Sequence, residues 1–378
     1  MELDAQEALQ AEEERKKQKP VLDAEGAAAV AASLYGLAVV PGSIKDLDSY
    51  DDRNFYFKAT ADRPEWLSAS DENGAGDGAA HFVLKVHNGV ESAEPSFIEA
   101  QNEAMGRVCA GGGVWCPRAL PSLAGLPIAR HGVPTAESDD APRNLALRCL
   151  PFRPGRLLGD VREPSAALLA QLGATAARVS ASLETFSHPA TRRPTFIWDL
   201  AHAHGVRTLL LHLPAERRPT VAGVLDEFEA RVLPRAHELR AQVIHNDLND
   251  QNVLVDEAGA EVVGLLDFGD LCHSWLVNEL AISIAYVAIA RFYGSTDAAR
   301  PGPDEAAAMR RDIEAVTAGF EAARPLNEAE RAVLPTLVAG RVAVSLTLGA
   351  YSSSLDPSNE YLKMTLLPGW RALQLLRD

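Results

Sequence analysis

Two short runs rich in β-branched residues and Leu, Val253–Val255 and Glu261–Leu266, stand on either side of Asp256-Glu257-Ala258-Gly259-Ala260, a five-residue spacer containing Gly. Runs of this kind with such a spacer predict a β-hairpin. The residues at both ends of the hairpin are polar. His245-Asn246-Asp247-Leu248-Asn249-Asp250-Gln251-Asn252 enters the first strand, and Asp267-Phe268-Gly269-Asp270 leaves the second. A hairpin folds those ends back beside each other, so Asp247, Asn252 and Asp267 are expected to converge. An Asp and an Asn offer oxygen ligands to Mg²⁺, which keeps waters and phosphate oxygens as the rest of its shell. A second Asp can accept a hydroxyl proton. Phosphoryl transfer needs this set, because the protein does little covalent chemistry there and works by holding metal, nucleotide and acceptor in line.

The order His-x-Asp-x-x-x-x-Asn, then a strand, then Asp-Phe-Gly resembles the catalytic pattern of protein-kinase-like folds. Its wording is closer to the small-molecule kinases of the aminoglycoside phosphotransferase and choline kinase group. Within that group His245–Asn252 and Leu265–Asp270, running on to Ser274-Trp275 and Asn278-Glu279-Leu280-Ala281, look most like the hydroxylysine kinase branch. The resemblance implies an α+β, protein-kinase-like, two-lobed fold with a small β-rich N-lobe and a larger, mainly helical C-lobe. It implies Asp247 as catalytic base and Asn252 and Asp267 as Mg²⁺ ligands, with GTP or ATP as phosphoryl donor. The implied acceptor is a small amino-bearing hydroxyl compound, 5-hydroxy-L-lysine first, with an aminoglycoside, homoserine or choline as alternatives. Asn246 departs from the Gly or Arg usual at its position, which removes no catalytic group. A catalytically dead scaffold is the reading from another class, and the intact Asp247, Asn252 and Asp267 argue against it.

A chain of 378 residues, 47% hydrophobic, can build one large or two ordinary domains. The expected division is a flexible tail at 1–20, an N-lobe at 21–150 and a C-lobe at 151–378. The net charge of −16, with no Lys/Arg block beyond Arg15-Lys16-Lys17, excludes nucleic acid as an expected partner. The four cysteines, Cys109, Cys116, Cys149 and Cys272, lack metal or disulfide spacing and point to a reducing compartment. The first twenty residues have no apolar core of a signal peptide. The longest apolar run, Leu280–Ala290, falls short of the roughly 20 residues that span a bilayer. A cytoplasmic protein with no membrane partner is expected.

Earlier in the chain, Phe55 and Phe57 alternate with Asn54, Tyr56 and Lys58, a half-buried strand after the turn-forming Ser49-Tyr50-Asp51-Asp52. In the resembling family a similar segment covers the nucleotide phosphates, which makes Ser49, Asp51, Asp52 and Asn54 candidate nucleotide-binding residues. Residues 61–80 have loop composition and read as an insertion. His81–Val86 alternates again and carries Lys85, which the resemblance assigns to the α- and β-phosphates. A helix over Pro95–Val108 should orient that lysine. Glu99 is the preferred orienting residue, Glu103 is also on offer, and Gln101, the polar residue on the apolar face, is left as the alternative. The base of the nucleotide is expected against the strand Leu147–Leu150, whose backbone could bond its edge, before a stiff Pro151–Gly155 hinge. Helices are expected over Ser274–Ala290, Val333–Tyr351 and Tyr361–Leu376. His245 reads as a scaffold group, and Glu279 as either a helix-dipole partner or a contact for a substrate ammonium.

Overall fold

The alternation around Phe55 forms a central strand in the computed structural model, which describes residues 5–47, 49, 51–61, 79–111, 113–357 and 363–377. The expectation of an insertion at 61–80 lies almost wholly outside the described residues, as does Tyr50. Packing separates the chain into a smaller unit, Leu9–Gly106 with Cys116–Pro154, and a larger one, Met1–Ala8 with Arg107–Trp115 and Gly155–Asp378. The change from one to the other at Pro154 falls within the Pro/Gly-rich segment 151–155.

In the smaller unit the sheet is β1 (Leu37–Val39), β2 (Lys45–Leu47), β3 (Arg53–Ala61), β4 (Ala80–Val86), β5 (Ala129–Thr135) and β6 (Ser138–Pro151). Its order is β1-β3-β4-β6-β5, with β2 also on β3, and every pairing is antiparallel. One face buries Phe55, Phe57, Phe82, Leu84 and Val86 with Val30, Ala31 and Tyr35 of helix α2 (Ala24–Tyr35). Each fully buried side chain of this size contributes roughly 1.5–3 kcal/mol. The same pleat turns Lys85 to the other face, where the register sets it opposite Asn54. Two helices follow β4: the single turn α3 (Gly89–Ala93) and the longer α4 (Ser96–Gly111).

Within the stretch expected as a tail, the described residues 5–20 carry a helix and contacts to the sheet. They contain helix α1 (Ala5–Lys17), and past it the Val21 N–H donates to Pro134 O and the Ala136 N–H to Lys19 O. Near its end Arg15 reaches two buried carboxylates, so the physical reason is a demand for positive charge.

In the larger unit the predicted hairpin is present as β9 (Val253–Val255) and β10 (Val262–Leu265), antiparallel, with β7 (Arg156–Leu157) on the other side of β9. Its turn is closed by Asp256, whose carboxylate accepts the N–H groups of Ala260 and Glu261, and by Gly259 at φ 67°. The Leu265 N–H donates to Trp115 O, which draws residues 107–115 into this unit. A second ladder pairs β8 (Ala241–Ile244) with β11 (Cys272–Trp275). Ser274, expected at the start of a helix, is therefore in a strand, because its neighbours complete the ladder with β8.

Helices α5 (Ala166–Leu183), α6 (Arg218–Arg231), α7 (Val277–Ala290), α8 (Pro303–Ala323), α9 (Glu328–Leu355) and α10 (Leu366–Leu376) make up most of the unit. Among the described residues α9 alone is long and apolar enough to cross a membrane by length and composition, but 78% of its most apolar window is buried inside the protein. It packs on α6, α7 and α10, which makes it a core helix.

Helices α5 and α8 approach closely because each presents a glycine to the other. A Cβ on Gly173 would overlap the Val316 carbonyl oxygen, and one on Gly319 the Ala170 carbonyl oxygen. Backbone cannot give way as a flexible side chain can. Gly173→Ala and Gly319→Ala should each lower stability by about 1–3 kcal/mol, read as a shift in the urea midpoint. Wild-type midpoints in both would remove close helix approach as the reason for these glycines.

Candidate active site

Strand β8 ends at Ile244, and the chain then makes a tight loop whose backbone is held from three directions. The N–H groups of His245 and Asn246 donate to the two oxygens of Glu279 at 2.7 and 3.3 Å. Asn246 adopts a left-handed conformation, φ 65°, and its side-chain amide donates to the Trp198 carbonyl at 3.2 Å. The His245 ring accepts the Asp247 N–H at Nδ1, which fixes the neutral tautomer with Nε2–H directed at Leu266 O, 3.0 Å away. The ring lies edge to face against Phe268, and burial lowers its pKa to about 4. His245 is thus the scaffold group it was expected to be. Glu279 lies in the first turn of α7, where a carboxylate suits the helix dipole, and it has a further role. Fully buried on α7, it anchors the loop, and burial pushes its carboxyl up to about 7 against the pull of the two N–H groups.

The loop brings the three expected groups together. The Asp247 carboxylate accepts Asn249 Nδ2 at 2.8 Å and Arg341 Nη2 at 3.3 Å on Oδ1, and Asn252 Nδ2 at 2.6 Å on Oδ2. The same Asn252 nitrogen donates to the Asp247 carbonyl at 2.9 Å. With its nitrogen so engaged, Asn252 has its side-chain oxygen available for a cation. The hairpin closes on it, because the Leu266 N–H donates to Asn252 O at 2.7 Å. Asp267 follows at φ 45°, its carboxylate exposed and accepting the Gly269 N–H at 2.9 Å. Two hard oxygens of this kind fit a Mg²⁺ ion. Burial pushes the Asp247 carboxyl up to about 8, with repulsion from Asp270 and Asp267 adding and Arg341 opposing. A carboxyl near neutrality is suited to proton transfer.

The other candidates lie on the smaller unit. Lys85 Nζ is 3.1 Å from Asp52 Oδ2, so the carboxylate beside the strand lysine comes from the Ser49–Asn54 turn. Glu99, expected to orient Lys85, is exposed on α4, as is Glu103. Gln101 is buried but accepts Arg148 Nη2 at 2.6 Å. The correction follows from the face that α4 presents: its apolar stripe turns Gln101 inward and leaves Glu99 in water.

Asp51 and Asp52, expected to cover phosphates, point into the protein. Asp52 Oδ1 accepts the Asn88 N–H at 2.8 Å, and Asp51 meets Arg15 Nε at 2.5 Å. Arg15 Nη2 also meets Glu91 at 2.8 Å. The second Glu91 oxygen takes His87 Nδ1–H at 3.0 Å, and His87 Nε2 accepts Arg148 Nε–H at 3.0 Å. Burial would raise the Glu91 carboxyl, but Arg15 and the His87 hydrogen bond carry it well below the usual range. Ligand atoms of Asp52, His87 and Glu91 lie within 4.8 Å of one another, and Arg15 and Lys85 already supply the positive charge there. Ser49 donates to the Asp52 carbonyl, and its own carbonyl accepts Lys19 Nζ at 2.9 Å. The Asn54 side-chain oxygen is buried with no hydrogen-bond partner among the described residues.

The strand edge proposed for the nucleotide base is largely spent. β6 lies between β4 and β5, Leu147 O accepts the Tyr35 hydroxyl at 3.3 Å, and Cys149 O accepts the Leu120 N–H. Sequence reasoning also missed Arg341, whose signal was there to read as a single charge within the apolar run Leu337–Leu348. Arg15, in a segment of ordinary charged composition, had no such signal.

Residues 44–326 match the model of the phosphotransferase enzyme family. Hydroxylysine kinase of Xenopus laevis is 31% identical over 380 residues, covering 95% of this chain and 91% of that protein. Homoserine kinase of Gluconacetobacter diazotrophicus is 32% identical over 160 residues, 39% of this chain and 44% of that one. Among solved structures, an amicoumacin kinase in complex with AMP-PNP, Ca²⁺ and Ami aligns with TM-score 0.63 at 16% identity, over 97% of this chain and 95% of the other, a likeness of fold.

The raised carboxyls set a pH dependence for the ligand-free protein. Asp247 near 8 and Glu279 near 7 keep protons in the folded state that the unfolded chain, at 3.8 and 4.5, has already released. The folded state then binds more protons, so stability falls as pH rises from 6.5 to 8. His87 and His245, lowered from 6.5, act below that window. Thermal unfolding across it should show a declining Tm, and Asp247→Asn should remove the decline above pH 7. A Tm that climbs with pH would refute the assignment.

Proposed function

The chain belongs to the phosphotransferase enzyme family, and on that premise we propose that it transfers the γ-phosphoryl group of GTP or ATP to the hydroxyl of 5-hydroxy-L-lysine. It is a phosphotransferase acting on a hydroxyl group, with a nucleotide donor and a small-molecule acceptor. The observation that carries the finer reading is the loop in which Asp247 is locked to Asn252 beside Asp267. Identity of 31% to a hydroxylysine kinase along 95% of the chain supports the acceptor.

In this reading the Asp247 carboxylate receives the proton of the attacking hydroxyl, while Asn252 and Asp267 offer their oxygens to Mg²⁺. These two residues would thereby hold a cation whose chemistry is to neutralise charge that develops in transfer. Lys85, steered by Asp52, takes the α- and β-phosphates. Asp51 acts on the nucleotide indirectly, through the turn that Arg15 secures. Asn54, with its unmatched side-chain oxygen, and Ser49 border that turn. Four cysteines without disulfide spacing fit a reducing, cytoplasmic setting. Homoserine is the second acceptor, favoured by the partial match to a homoserine kinase.

Purified protein with Mg²⁺ should phosphorylate 5-hydroxy-L-lysine, with GTP compared directly against ATP and homoserine assayed in parallel. Homoserine turnover alone would move the acceptor and keep the catalytic residues. Asp247→Asn should slow turnover by roughly 10²–10⁴, and an unchanged rate would remove Asp247 as the base. Asp52→Ala should raise the nucleotide KM about tenfold, the worth of one charged hydrogen bond. A nucleotide KM that stays put would leave Lys85 independent of Asp52.

A further inference from the structure

Arg341 stands alone as a charge in the middle of the core helix α9 and is 1% exposed. Its guanidinium carbon lies 5.2 Å from the ring centre of Trp198 and 5.5 Å from that of Tyr286, so the head group sits between two aromatic faces. Nη1 donates to the Trp198 carbonyl at 2.9 Å and Nη2 to Asp247 Oδ1 at 3.3 Å. The Trp198 carbonyl also receives the side-chain amide of Asn246, the left-handed residue just before Asp247. One side chain from the C-terminal part of the fold therefore reaches the catalytic loop directly at its carboxylate and indirectly at its backbone.

A cation here is a poor choice for stability alone. A buried ion pair replaced by apolar residues of similar volume is often neutral or more stable, and the rest of this stretch of α9 is apolar. An Asp carboxylate, by contrast, rotates broadly about its terminal torsion unless hydrogen bonds fix it. Asn249, two residues away, holds Oδ1 from within the loop. A loop contact moves with the loop, whereas α9 is a packed helix and holds Oδ1 from a fixed point.

We infer that Arg341 is a positioning residue for phosphoryl transfer, fixing the orientation of the Asp247 carboxylate so that it meets the acceptor hydroxyl. The inference rests on Asp247 being the base. It assigns Arg341 an effect on the chemical step and none on nucleotide binding.

The test is a double-mutant cycle in steady-state kinetics with donor and acceptor saturating. Arg341→Met keeps length and apolar packing and should lower kcat by about a hundredfold, the scale of a small misplacement of a reacting group. The nucleotide KM should stay within about twofold, since uniform binding is untouched. Arg341→Lys should recover part of the rate, because one ammonium can serve the carboxylate but lacks the fork that also grips Trp198 O. In the Asp247→Asn background, Arg341→Met should cost little more, as expected for residues acting as a unit. If the Met variant fails to fold, the Lys variant carries the same cycle. A wild-type kcat in Arg341→Met, or losses that multiply fully with Asp247→Asn, would overturn the role. A wild-type rate in Asp247→Asn would instead sink the assignment of the base.

Discussion

A fully buried carboxylate, Glu279, accepting two consecutive backbone N–H groups is the contact on which the loop after β8 depends. The loop must turn sharply after β8 so that Asp247 leaves the strand at the right angle, and it does so by placing Asn246 at φ 65°. A non-glycine residue in that region is uncommon, and Asn tolerates it better than most. The turn also strips two N–H groups of ladder partners inside the protein, where each unmet donor costs on the order of 1–3 kcal/mol. Glu279 meets both at once. Because it sits in the first turn of α7, the loop is referenced to a helix buried along almost its whole length.

The remaining contacts follow from that anchor. Once the loop is fixed, His245 can bridge to Leu266 and so register the hairpin exit against its entry. Asn252 then commits its nitrogen to Asp247, which leaves its side-chain oxygen outside that contact. Positive charge arrives from Arg341 on one side, while Asp267 and Asp270 keep the region net acidic. Burial raises the carboxyls of Asp247, Asp250 and Glu279 alike, so protonation in this region is set by how far each is kept from water.

The smaller unit solves a similar problem with opposite bookkeeping of charge. Asp51, Asp52 and Glu91 are all buried, yet Arg15, Lys85, His87 and Asn88 surround them, so Glu91 ionises readily. Lys85 is consequently aimed by a carboxylate from the β2–β3 turn rather than from α4. The arrangement couples three stretches, the end of α1, the turn before β3 and the start of α3.

Much of this was legible in order of residues. Period-two alternation placed Phe55, Phe57, Phe82 and Leu84 in the core and Lys85 on the far face, because the pleat allows no other assignment once one face is buried. The hairpin, and with it the meeting of Asp247, Asn252 and Asp267, followed from turn chemistry between positions 247 and 267, a local matter. What the sequence left undecided were contacts whose partners lie far apart. Whether Glu99, Glu103 or Gln101 faces Lys85 depends on the rotation of α4 about its axis, set by packing along its whole apolar stripe, and the carboxylate found there, Asp52, comes from another element. Glu279 could be a surface acid or a buried anchor, and only the burial of α7 decides which. Arg15 and Arg341 reach their carboxylates across 36 and 94 positions, and no local propensity encodes such a pairing. Local pattern determined the elements and the motif, while tertiary packing decided which charges meet, because a charge acts on whatever the fold brings within a few ångströms of it.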